Sequence, residues 1–148
     1  MHRPPTARAN RRVILPIALL AALALAPVPG PRALEPLLDE ETEQLLVDAV
    51  TAAAELDLYH ARCRSDVSGR RLDNLNKELA SKFRMTVLDV QDDLFPEGSY
   101  RRVQERLRQE FLQKLKEAGG CRGAKASDMP ERLRTRYNEL LGEIERLP

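Results

Sequence analysis

The chain contains no tryptophan and only three phenylalanines and three tyrosines in 148 residues. That removes the aromatic platforms on which bases and sugars stack. Histidine is almost missing: beyond His2 at the start, His60 stands alone. A histidine relay behind a nucleophile therefore has no material, and no Ser or Cys sits in a nucleophile-elbow pattern. One such His and two Cys fall short of a closed tetrahedral metal set. Haem attachment would need Cys-x-x-Cys-His, which does not occur. Gly119-Gly120-Cys121-Arg122-Gly123 lacks the preceding strand and the Lys-Ser/Thr ending of a phosphate loop. Period-two alternation is absent over any useful length, which excludes a sheet-built fold. The sequence thus offers no catalytic set, and neither metal nor cofactor is expected.

What is present begins with an address. Arg3, Arg8, Arg11 and Arg12 form a basic head without an acid, Val13 to Ala26 are almost wholly apolar, and Pro27 to Pro31 break the run. A basic head, a short apolar middle and a small or Pro-rich exit make a secretory signal peptide, assigned to residues 1–33. About 14 apolar residues are too few for the roughly 20 of a stable bilayer-spanning helix. Asn10-Arg11-Arg12-Val13-Ile14-Leu15 also fits a twin-arginine route loosely, so the export route stays open. The expected location is periplasmic or secreted.

Residues 34–148 fit one domain. They carry 19 basic against 23 acidic residues, a net charge of −4. The signs are unevenly placed. Glu35 to Asp57 holds eight acids and no Lys or Arg, whereas Arg62 onward holds 19 bases and 15 acids. Either the two parts complement each other inside one fold, or a polar surface faces an outside partner. Neither part is basic enough to predict nucleic-acid binding.

Helical spacing predicts an all-α chain: an antiparallel four-helix bundle with one inter-helix disulfide. The first helix is expected over Asp39 to Cys63, opening on acids that suit the positive end of a helix dipole. Leu46, Val50, Ala53, Leu56 and Tyr59 form its stripe. The second spans Arg71 to Leu94, with Leu72, Leu75, Leu79, Phe83, Val87, Val90 and Leu94 inward. Thr86, with Asp89 three residues on, reads as a fresh start, so this stretch is one long helix or two pieces bent at Met85. Pro96-Glu97-Gly98 ends it. Ser99 is the expected cap of a third helix, Tyr100 to Ala118, with Tyr100, Val103, Leu107, Phe111 and Leu115 inward. Gly119-Gly120 supplies a left-handed exit, and Cys121 to Ala126 reads as a connector. Ser127 or Asp128 caps a fourth helix carrying Leu133, Tyr137, Leu140 or Leu141, Ile144 and Leu147.

In an oxidising compartment, Cys63 and Cys121 are expected to pair. They fall at the ends of the first and third helices, which share one side of an up-down-up-down bundle. A tight hairpin within Arg71 to Leu94 would separate those ends, so the bridge favours a continuous or gently kinked second helix.

The most distinctive segment runs from Asp92 to Arg102. Two acids, an apolar pair, a Pro-Gly turn, an aromatic and two arginines follow one another. Asp89, Asp92, Asp93, Phe95, Tyr100, Arg101 and Arg102 are the candidate binding surface. The plainer alternative is a hydrophobic staple with Phe95 near Val103. Asp89 and Asp93 share a helix face, close enough to hold a cation loosely. The expected role is a non-enzymatic interaction module of the envelope or secreted fraction, with a protein or envelope partner. Two alternatives stand beside it. A small chaperone or stress protein requires a concave apolar surface. A bundle enzyme acting on a small anionic ligand requires a cavity with at least two inward-facing arginines.

Overall fold

The computed structural model describes residues 38–148; the expected signal peptide, residues 1–33, lies outside them. Six helices follow in order: α1 (Glu40–Cys63), α2 (Arg70–Phe83), α3 (Val87–Asp93), α4 (Tyr100–Glu117), α5 (Gly120–Ala126) and α6 (Met129–Arg146). The described residues contain no strand.

α1 starts where its chemistry allows. Asp39 takes the cap position and its carboxylate accepts the Thr42 N–H at 2.7 Å, while Glu40, Glu41 and Glu43 fill the positive first turn. From Ala49 to Asp57 every residue except Thr51 is buried. The small side chains of Ala49, Ala52, Ala53 and Ala54 let neighbours approach from all sides, and α1 touches α2, α3, α4 and α6. It is the central helix, buried nearly all round at its middle.

Pairings along α1 set the directions of the other helices. Val103 and Leu107 of α4 pack in the cluster of Leu46 and Val50, whereas Phe111 and Leu115 join Tyr59 and Cys63. α4 therefore runs with α1. α6 runs against it, since Met129 joins the Tyr59–Cys63 cluster and Ile144 the Leu46 cluster. α2 also runs against α1: Arg71 in its first turn meets Asp57 near the end of α1. Lys82 Nζ then donates to the Leu147 carbonyl at 2.6 Å, which ties the far ends of α2 and α6.

Six helices stand where four stripes predict four, and the differences have local causes. The second stripe is interrupted between Phe83 and Val87 instead of bending at Met85. Arg84 enters the left-handed region (φ +55°) and ends α2. Thr86 and Asp89 then build a full capping box that starts α3 afresh: Thr86 Oγ1 accepts the Asp89 N–H at 3.1 Å, and the Asp89 carboxylate accepts the Thr86 N–H at 2.7 Å. Asn76 Oδ1 accepts the Val87 N–H at 2.9 Å, so α3 begins alongside α2. With seven residues, α3 is about 10 Å long. That is too short to return the chain to the opposite end, which is why the break leaves the cysteine ends together.

The expected connector after Gly119 is itself helical, as α5. Its turn is tight because Gly123 lies against α4: a Cβ there would meet the Ala118 carbonyl oxygen at 1.7 Å. Cys63 and Cys121 are disulfide-bonded, with Cα atoms 5.3 Å apart, joining the end of α1 to the start of α5. No helix among the described residues is long and apolar enough to cross a membrane.

Candidate functional site

The segment singled out from sequence is largely occupied with holding the fold. Asp89 is committed to the α3 capping box, and the Thr86 hydroxyl and N–H hold its carboxyl below the ordinary carboxylate range. Asp92 Oδ1 accepts the Tyr100 N–H at 2.5 Å and so caps α4, a task expected of Ser99, whose side chain makes no cap bond. Phe95 is buried in the main core with Val103, beneath the Arg106 guanidinium at 5.8 Å. Arg102 donates to the Glu97 carbonyl, and Arg106 pairs with the Glu97 carboxylate and lowers its pKa. Asp93, Tyr100 and Arg101 remain on the surface. Arg101 Nε donates to the Tyr100 hydroxyl at 3.2 Å, and its guanidinium lies 5.9 Å from that ring's centre. Tyr100, expected inward, is exposed because Val103, Leu107, Phe111 and Leu115 already fill the α4 stripe.

Two carboxylates inside α1 carry the more unusual geometry. Glu55 sits within an apolar run and is 4% exposed. Lys114 Nζ of α4 reaches its Oε1 at 2.5 Å, and Arg136 of α6 lies 3.7 Å from Oε2. Burying a carboxylate at that depth is costly unless it is paired, and the two cations supply the pairing. Both cations stay accessible, with side chains 52% and 46% exposed. Glu55, Lys114 and Arg136 line an open cleft of about 640 Å³, beside Met129, Leu133 and Arg132. Arg132 is paired with Asp128 at 2.5 Å, and Arg136 reaches Asp48 at 3.3 Å. The cleft therefore sets cations with unused donors beside an apolar strip.

Two residues further along α1 and on a different face, Asp57 caps α2 from outside that helix. Gly69 holds the cap position without a side chain, and the Asp57 carboxylate accepts the N–H groups of Arg71 (3.3 Å) and Leu72 (3.0 Å). The Arg71 guanidinium approaches Asp57 at 3.5 Å, Asp66 at 3.4 Å and His60 Nε2 at 3.3 Å. Asp66 is held down to about 2 by the hydroxyl and N–H of Ser68.

Periodicity places Glu55 and Asp57 on the flanks of the α1 stripe and does not mark them as sites. A carboxylate amid Ala52, Ala53, Ala54 and Leu56 was the available signal, in a segment without any base of its own. Its partners come from the later, basic part of the chain: Asp48 and Glu55 meet Arg136, Glu55 meets Lys114, and Asp57 meets Arg71. The charge asymmetry of the sequence is thus resolved partly inside the fold. No group of three His, Cys, Asp or Glu side chains among the described residues is placed to hold a metal ion. No family model matches the chain, and no curated protein and no solved structure shows significant similarity to it.

Proposed function

We propose that this chain is an exported, non-enzymatic interaction module of the periplasm or the secreted fraction. In this reading residues 1–33 are its signal peptide, and α1, α2, α4 and α6 are the four members of an antiparallel bundle with α3 and α5 as short insertions. The module binds a protein partner in the cleft around Glu55. The observation that carries this is the pair of accessible cations, Lys114 and Arg136, drawn from two helices onto one buried carboxylate beside Met129 and Leu133. The complementary occupant is a protein segment presenting an acidic group next to an apolar side chain. Tyr100 and Arg101, exposed on α4, are a second point of contact on the surface expected from sequence.

The competing readings receive less support. An enzyme acting on an anion inside the bundle needs inward arginines, yet the buried polar residues among those described are Glu55, Asp57 and Gln91. A chaperone needs a continuous apolar surface, yet the large exposed apolar residues, Val67, Leu88 and Tyr100, are scattered singly. The disulfide suits an oxidising compartment, which supports export.

The test is crosslinking of the oxidised protein in envelope and culture fractions, followed by the same capture with Lys114→Gln and Arg136→Gln. A discrete partner that both substitutions weaken, from variants whose thermal unfolding is intact, supports the reading. Partner capture indifferent to both substitutions refutes the cleft, and protein confined to the cytosol with free thiols refutes export.

A further inference from the structure

His60 is held in a way that ties its protonation to the junction of α1 and α2. Guanidinium groups only donate, so the Arg71 contact at 3.3 Å requires a bare Nε2 on His60. The remaining proton then sits on Nδ1, which faces the Asp66 carboxylate at 3.6 Å. A protonated ring has two donors and no acceptor, and no ring flip restores the Arg71 contact. The charged groups around the ring come from the end of α1, the loop after it and α2. Asp57 lies on α1, Arg64 just past its end, Asp66 in the loop and Arg71 on α2. From α6, the Tyr137 hydroxyl reaches Arg71 itself, donating to its carbonyl at 3.3 Å.

We propose that His60 is a proton-operated latch: neutral, it helps hold Arg71 and the capped first turn of α2 against α1, and protonated, it releases them. Protonation sets an imidazolium against a guanidinium at contact distance. It also makes His60 a competitor for Asp66, which Arg71 otherwise shares with it. Arg71 supports the same turn whose N–H groups rest on Asp57, so its displacement loosens that cap. Partial burial of the ring and the nearby Arg71 charge both depress the His60 pKa. The sign follows: a depressed histidine leaves the latched state fully favoured above the ordinary value near 6.5. The latch weakens as pH falls from there through the folded-state value, because the released state takes up the proton more readily.

The experiment is an NMR titration of the full oxidised chain, with His60→Gln assigning the ring signals. Amide-exchange protection of Arg71 and Leu72 is followed in parallel and normalised to intrinsic exchange rates. The expected result is a His60 midpoint below 6.5, a bare Nε2 above it, and a loss of protection at these two amides through the same transition. Thermodynamic linkage sets the size of the loss at tenfold for every pH unit by which the midpoint lies below 6.5. Glutamine retains an oxygen that accepts from Arg71, so the variant keeps its protection across this range. A midpoint at or above 6.5, or an equal step in His60→Gln, overturns the proposal. Arg71→Met supplies an independent check, since it raises the midpoint only if Arg71 faces the ring.

Discussion

Removing the Cys63–Cys121 bridge tests how this small domain obtains its stability. The bond closes a loop with a sequence separation of 58. In the chain-entropy treatment, a loop of that length lowers the entropy of the unfolded chain enough to stabilise the fold by about 4 kcal/mol. A domain of about 110 residues unfolds with an entropy near 0.23 kcal/mol/K, so the loss corresponds to a fall in Tm of about 15–20 °C. Two forms separate the crosslink from packing. Reduction of the native protein leaves both thiols in place, and Cys63 remains among Tyr59, Phe111, Leu115 and Met129. Cys63→Ala with Cys121→Ala additionally removes a buried sulfur, adding about 1 kcal/mol. Calorimetry and urea unfolding of the three species provide the comparison. Because the effect acts chiefly on the unfolded chain, the far-ultraviolet dichroism of the reduced protein should match that of the oxidised protein at low temperature. A reduced form less than about 1 kcal/mol weaker, with an unchanged urea slope, would show that the loop is already constrained without the bond.

Three further outcomes follow from particular contacts. Gly123→Ala drives a methyl into the Ala118 carbonyl, a backbone atom that cannot rotate away; it should cost about 3 kcal/mol in urea unfolding, and a cost below 1 kcal/mol would contradict the close approach. Arg84→Gly relieves a non-glycine residue at φ +55° where α2 ends, and should raise stability by about 0.5–1 kcal/mol, whereas a loss would mean that the exposed Arg84 side chain matters more than its backbone. Acidification should weaken the fold a second time, below the latch transition of His60. Ser68 holds Asp66 at about 2, and Asp39 and Asp89 are also lowered by their cap bonds. Their folded values lie below their unfolded ones, so this stability is complete above about pH 4 and is lost as pH falls toward 2. Urea midpoints measured down that range should fall less steeply in Asp89→Asn, and an identical slope would remove the capping box from the acid response.

Helix ends were legible wherever the signal and its partner lie within one turn. Asp39 before an acidic run, Thr86 with Asp89, and Gly119 after Lys114 and Lys116 each act on groups three or four residues away. The inward residues of α1, α2 and α4 follow their stripes for the same reason, apart from Tyr100. The fresh start at Thr86 is legible, but the sequence leaves open whether one helix continues through it, since no glycine or proline marks the end of α2 at Arg84. The helix at Gly120–Ala126 was hidden by three glycines, whose low propensity is overridden by the bridge at Cys121 and by the packing of Gly123 on Ala118. Of the candidate surface, Asp89, Asp92 and Phe95 have structural tasks whose partners are Thr86, the Tyr100 N–H and the core.

The helical character of the described residues and the main helix limits were already written in residue order, because caps, stripes and turn residues act over a few positions. The cysteine pairing followed from there being only two cysteines in a chain read as exported. Which charges would be buried was not. Glu55 and Asp57 look like ordinary polar flanks of one helix until α2, α4 and α6 close around it. A carboxylate's surroundings depend on side chains 14 to 81 residues away, Arg71 for Asp57 and Arg136 for Glu55 among them. Only the packing of helices brings those groups within reach, and both the cleft and the His60 latch exist at that level alone.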